Sequence, residues 1–384
     1  MRVIKGLILH LLFVVIFLLV AERIALSLLT DQMLSRPVLR SEGTRSLGTW
    51  PLRTDPVTGW ALAAPPEQAT ELTRGFQVSH SGVGLRWIPG TMDKGPPLVL
   101  LVLGDDVAFG PTVPLEDTFG GWIKRSTEER LPERTVAVAT AAVPGYDALQ
   151  MSLQFRRLTS MRPHLALCCF SGGQTLAPVA AVVRPTDLRS ASTKELLYRP
   201  ALTQALYLGI DRLTHGAEVT GVSWGITRER ARQADVEGFG RALDAIINHS
   251  DRAKVPLLMT SLGLSEVYRS ALETRCRDAH VDYVDGDEAL LEHAEEASAA
   301  RGGGRTMDAS ADVSVVAPLD RTNEAHAWWI QQHLRPRMAP VFLSRIYFSP
   351  ALLPTRVAYR TIGDALSMAI TDGDLFSWRH RVLR

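Results

Sequence analysis

From Pro97 onward, short apolar runs alternate with longer amphipathic stretches, and no other feature constrains the fold as much. LVLLVLG at 98–104, RTVAVAT at 134–140, HLALCCF at 164–170 and VPLLMTS at 255–261 are short and almost continuously apolar. Runs of that length and pattern suit strands buried on both faces. VDYVD at 281–285 reads as a fifth strand. Between these runs, Asp117–Glu129, Tyr146–Ser160, Arg228–His249 and Glu266–Ala279 place apolar residues at helical spacing, as Leu149, Leu153, Phe155 and Leu158 do. Strands linked by crossover helices pair in parallel and carry helices on both faces. The expected unit, over residues 97–336, is a three-layer α/β/α fold with a parallel, flavodoxin-like five-stranded sheet. Asn323–Leu334 is its last expected helix.

The flanking segments break this rhythm. MRVIKGLILHLLFVVIFLLVAER opens with Arg2 and Lys5 and continues with an apolar run from Gly6 to Ala21. The run has no polar face, so a buried soluble helix does not explain it. It is short for a bilayer span but resumes after Glu22 and Arg23 as IALSLL, which suits a tilted transmembrane helix over residues 1–30. A cleaved signal peptide is the alternative, although small residues are poorly placed for cleavage. The basic flank puts the short N-terminus in the cytoplasm and the remainder outside the cytoplasmic membrane, in the periplasm. Residues 31–96 are rich in Pro, Gly, Thr and Arg and read as a stalk and lead-in, with a short strand at Phe76–Ser79. Residues 337–384 form a C-terminal extension with a helix expected at Ala358–Ile370 and a basic end, WRHRVLR; packing back onto the domain is the default.

Composition excludes several classes. The net charge is +1, and no basic stripe is interleaved with aromatics, so nucleic acid is not an expected partner. Cys168, Cys169 and Cys276 have neither metal-ligand nor disulfide spacing. The first two lie inside a strand and read as core residues. No cofactor is expected.

Ligands of parallel sheets bind at the carboxyl ends of the strands, which directs attention to the loops after Gly104, Thr140 and Phe170. The first, LLVLGDDVAFG, places Asp105 and Asp106 on a strand-to-helix turn. A hard cation needs several oxygens converging from different segments, with Asp320 a conceivable third. Adjacent turn residues usually diverge, and no metal site is assigned.

Six ordered blocks resemble the SGNH (GDSL-type) hydrolases, in particular a membrane-anchored, extracytoplasmic branch. They are DPVTGW at 55–60, SHSGVGLRW at 79–87, VLGDDVAFG at 102–110, TAAVPGYDALQ at 140–150, RPHLALCCFSGGQT at 162–175 and PLDRTNEAHAWWIQQHL at 318–334. The resemblance covers roughly residues 55–335 and implies an ester-hydrolase site at the carboxyl ends of the first three core strands. It places the nucleophilic serine at Asp106, with Gly104 and Asp105 shaping its turn. The oxyanion-hole glycine falls at Ala142 and the asparagine before it at Thr140. The oxyanion-hole asparagine falls at Gln174, after Gly172 and Gly173. Asp320 stands without a gap at the base histidine; His326 matches only a later, structural histidine.

Every position that performs the family's chemistry therefore carries another residue, and no catalytic residue is assigned. Acyl transfer needs an activated hydroxyl, a base and donors for the oxyanion. Asp106, at a helix start, is expected to fill the old oxyanion site with its own carboxylate. The expectation is a catalytically inactive binding or scaffold component of an envelope or glycan process, with a membrane protein or an envelope polysaccharide as partner. One alternative is an active esterase or acetyl-transfer enzyme with non-standard residues, for which Ser171 is the nearby hydroxyl. Another is a structural subunit of a membrane complex.

Overall fold

The computed structural model describes residues 2–28, 52–55, 57–62, 76–78, 84–110, 113–172, 193, 202–203, 206, 236–300, 354–373 and 375. A 27-residue helix, α1 (Arg2–Leu28), comes first. Strands β1 (Leu52–Asp55) and β2 (Gly59–Leu62) form an antiparallel hairpin. Then come β3 (Phe76–Val78), β4 (Gly84–Ile88), β5 (Leu98–Leu103), α2 (Asp106–Phe109), α3 (Phe119–Arg130), β6 (Val136–Thr140), α4 (Ala148–Leu158) and β7 (Leu165–Ser171). The remainder is α5 (Val236–Ala253), β8 (Leu257–Leu262), α6 (Glu266–Asp278), β9 (Asp282–Asp285), α7 (Gly286–Ala300) and α8 (Arg356–Asp372).

The five runs read from the sequence pair in parallel in the order β6-β5-β7-β8-β9. This is the flavodoxin-like order expected. The sheet is nevertheless not a purely parallel five-stranded one. It has seven strands and is mixed, because β3 and β4 add antiparallel to the free edge of β6. Their physical cause is a hairpin-like return, Phe76–Ile88, whose β4 carries Leu85 into the core beside β6 and so covers an edge that would otherwise present unpaired N–H and C=O groups.

Alternation along the strands makes two cores. Leu100, Val102, Val138, Leu167 and Cys169 face Phe119, Ile123, Leu290, Ile362 and Leu366, from α3, α7 and α8. Leu101, Leu103, Ala139, Cys168 and Phe170 face Met151, Phe155, Leu243, Ile246 and Leu272, from α4, α5 and α6. Three α/β/α layers follow directly from this period of two. Burial of each Leu, Ile or Phe in these cores contributes about 1.5–3 kcal/mol.

Helix α8, the expected Ala358–Ile370 element, packs against α3 and α7. Its Ala358, Tyr359, Ile362, Leu366 and Ile370 are buried, so this part of the C-terminal extension belongs to the outer helix layer of the sheet. Gly363 permits the close approach, since a Cβ there would stand 2.6 Å from the Cβ of Trp122. The three cysteines are buried free thiols, as core residues should be; burial pushes Cys276 up to about 12. The expected helix 323–334 lies outside the described residues.

In α1 the apolar side chains from Leu11 to Val20 are exposed. Near its end, Glu22 accepts the N–H of Leu202 at 2.8 Å. Over the described residues, no helix is long and apolar enough to cross a membrane.

Candidate functional site

The site is built on the turn between β5 and α2. Gly104 leaves the strand with φ +159, and a Cβ there would stand 2.5 Å from the Cβ of Ala108 and 3.0 Å from the Cys169 carbonyl oxygen. Only a residue without a side chain fits between the central strand and the helix. Asp105 follows as the N-cap of α2, its Oδ1 accepting the N–H of Val107 at 3.0 Å. Its second oxygen accepts the hydroxyl of Ser171, the last residue of β7. Asp105 thus ties the ends of two neighbouring strands together, and it is fully buried.

That burial, followed by the neighbouring Asp106 charge, raises Asp105 well above the usual carboxylate range. A side-chain hydrogen bond between the two aspartates works in the same direction, while the Ser171 hydroxyl and the Val107 N–H oppose it. Two carboxyls this close repel as anions, so their titrations are linked. Asp106 itself is half-buried. The helix starts at Asp106, as the sequence reading has it, and Asp105 is the cap that accepts the Val107 N–H.

The loop after β6 lies alongside. Ala141 donates its N–H to Val102 O at 2.7 Å and Val143 donates to Gly104 O at 3.0 Å, which fixes Ala142, fully buried, next to the turn. Thr140 closes β6 and is also buried. Asp147 and Gln150 then start α4 with a reciprocal cap, and Gln150 Nε2 donates to Thr58 O at 2.6 Å. The lead-in hairpin is locked further by buried Asp55, which accepts from Val57 and Thr58 and pairs with Arg157 at 2.9 Å.

The structure therefore brings Gly104, Asp105, Asp106, Thr140, Ala142, Ser171 and Gly172 to the carboxyl edge of β5, β6 and β7. Gly173, Gln174, Asp320 and His326 lie outside the described residues. Ser171 does not stand ready as a nucleophile: it is 2% exposed and its hydroxyl is directed at Asp105. Among the described residues, no three His, Cys, Asp or Glu side chains converge to hold a metal ion.

Two residues of the site were not singled out from sequence. Arg86 of β4 is buried, donates from Nη1 to Phe109 O at 2.6 Å, and lies 4.8 Å from the Phe109 ring centre. Tyr359 of α8 donates its hydroxyl to Val107 O at 2.7 Å and packs edge-on against Phe119. Together they hold the two carbonyls at the end of α2, so the turn is capped by Asp105 at its start and gripped from two other elements at its end. Arg86 was visible within the GLRW block as a charge inside a strand-like stretch; Tyr359 carried no local signal.

With this geometry in place, comparison with known proteins gives a likeness in fold. No protein-family model matches the chain, and no curated protein matches it. Among solved structures, the chain is similar to a protein assigned to the lipolytic G-D-S-L family from Desulfitobacterium hafniense, at 10% identity, covering 70% of this chain and 98% of that one, with a TM-score of 0.36. It is similar to a GDSL-like lipase from Bacteroides thetaiotaomicron at 8% identity, covering 72% and 89%, with a TM-score of 0.34. It is also similar to a psychrotrophic esterase from Pseudoalteromonas sp. at 11% identity, covering 49% and 76%, with a TM-score of 0.28.

Proposed function

We propose that this chain is an SGNH-hydrolase-like protein without ester-hydrolase activity, serving as a binding or scaffold component in an extracytoplasmic envelope or glycan process. The observation that carries the proposal is the composition of the nucleophile turn. Its architecture is intact, with a tight glycine, an aspartate cap and a short helix, yet the reactive position holds Asp106. The hydroxyl that closes β7, Ser171, is buried and directed at Asp105, whose burial raises it above the usual carboxylate range.

The exposed apolar side chains of α1 from Leu11 to Val20, with Arg2 and Lys5 before them in sequence, support contact with the cytoplasmic membrane. A membrane protein or an envelope polysaccharide is the proposed partner. The deciding assay is hydrolysis of p-nitrophenyl acetate by the purified full chain in detergent. The expected rate equals that of buffer. Hydrolysis that disappears in Asp106→Ala or Ser171→Ala would instead establish an active esterase or acetyl-transfer enzyme.

A further inference from the structure

Arg86 presents a buried guanidinium whose donors are only partly used. Its side chain is 1% exposed. Nη1 is engaged by Phe109 O, but Nε and Nη2 are buried and have no acceptor among the described residues. Burial lowers its pKa only to about 10, with Tyr359 and Glu116 opposing the shift, so the guanidinium is charged at neutral pH. Leaving two donors of a buried cation without acceptors is unfavourable, and a small anion between them would relieve it.

The residue across the strand has the matching deficit. Arg86 and Thr140 are register partners of β4 and β6, so their side chains leave the sheet on the same face. Thr140 Oγ1 is buried and also without a partner. It lies 3.2 Å from the point where a Cβ would stand on Gly120, in the first turn of α3. The N-cap of α3, Thr118, gives that turn no side-chain cap; its hydroxyl donates to Leu115 O instead. A forked cation, a hydroxyl and the positive end of a 12-residue helix are thus gathered at the carboxyl end of β6.

We propose that this corner is a binding site for a small monovalent anion, a halide or a formate-sized carboxylate, held by Arg86 Nε and Nη2, Thr140 Oγ1 and the start of α3. Size follows from burial: neither side chain leaves room for a ligand that must stay partly in solvent. Because Arg86 also holds Phe109 O, the anion's occupancy is linked to the α2 turn. The anion's seat adjoins the α2 turn, but the proposal does not depend on whether that turn is catalytic.

Thermal unfolding of the full chain in detergent tests this, with sodium gluconate replaced by sodium chloride or sodium formate at fixed ionic strength. The small anions are expected to raise Tm saturably, by on the order of 5 °C near saturation. Arg86→Met should lose the dependence. Thr140→Val should keep it with apparent affinity weakened about tenfold, which leaves the test readable if Arg86→Met does not fold. Equal melting in chloride, formate and gluconate would overturn the proposal, as would a saturable rise that survives Arg86→Met or is unaltered in Thr140→Val.

Discussion

Asp105→Asn removes the charge from a fully buried carboxyl while keeping its shape, and its effect has a definite sign. Burial first, then the Asp106 charge, raise the folded-state pKa of Asp105 above its ordinary value of 3.8. Between those two values the unfolded chain has lost the proton and the folded protein keeps it. Folding then takes up a proton, so stability is fully present below the ordinary value and falls as pH rises across the window. The slope is at most about 1.4 kcal/mol per pH unit. Asparagine is a fixed analogue of the neutral acid. Its carbonyl can accept the Val107 N–H, and the Ser171 hydroxyl can turn to accept from its amide. The variant should match the wild type near pH 4 and exceed it increasingly above, by up to about 1.4 kcal/mol per unit, or roughly 3–6 °C in Tm. Urea unfolding of both proteins from pH 4 to pH 8 measures this. A stability difference that stays constant across that range would refute the assignment of the proton to Asp105. Asp106→Asn removes the second cause and should make the wild-type decline shallower without abolishing it.

Two further substitutions probe how the turn is held. Tyr359→Phe leaves the apolar contacts but strips the buried Val107 carbonyl of its hydroxyl donor, and should cost about 1–2 kcal/mol in chemical denaturation; an unchanged midpoint would show that the bond contributes nothing. Gly104→Ala puts a methyl 2.5 Å from the Ala108 Cβ at a φ that side chains avoid. A loss of about 2–4 kcal/mol is expected from overpacking and backbone strain combined, and a melting curve superimposable on the wild type would exclude that steric account.

Four of the five parallel strands, β5 to β8, were legible because burial on both faces leaves a local trace, an almost unbroken apolar run, that needs no knowledge of the neighbours. β4 was not legible as a sheet strand. Gly84–Ile88 includes Arg86, and a charge within a strand is a signal for exposure unless the fold supplies a carbonyl and a ring for it. The turn itself could be read from VLGDDVAFG, since a glycine forced between strand and helix, followed by an acidic cap, has a local sequence form. What holds that turn could not be read. Phe109 O and Val107 O are met by residues 23 and 252 positions away, respectively, and such pairings depend on topology. The helix start at Asp106 was legible, but which of the two aspartates caps it turns on a single residue, and it is Asp105 that takes the Val107 N–H and the buried position.

The separation between Val107 and Tyr359 also sets an order of events. A chain emerging from the ribosome, or passing through a membrane pore, delivers β5 and the Asp106 turn long before it delivers α8. Until then the face formed by Phe119, Ile123 and Val102 lacks the cover of Ile362 and Leu366, and the Val107 carbonyl lacks its donor. The sheet can assemble early from its own strands and crossover helices. The turn at its centre is finished only when α8 arrives, so nascent chains that stop before residue 356 retain a loose turn and an exposed apolar face, the combination that holding chaperones recognise.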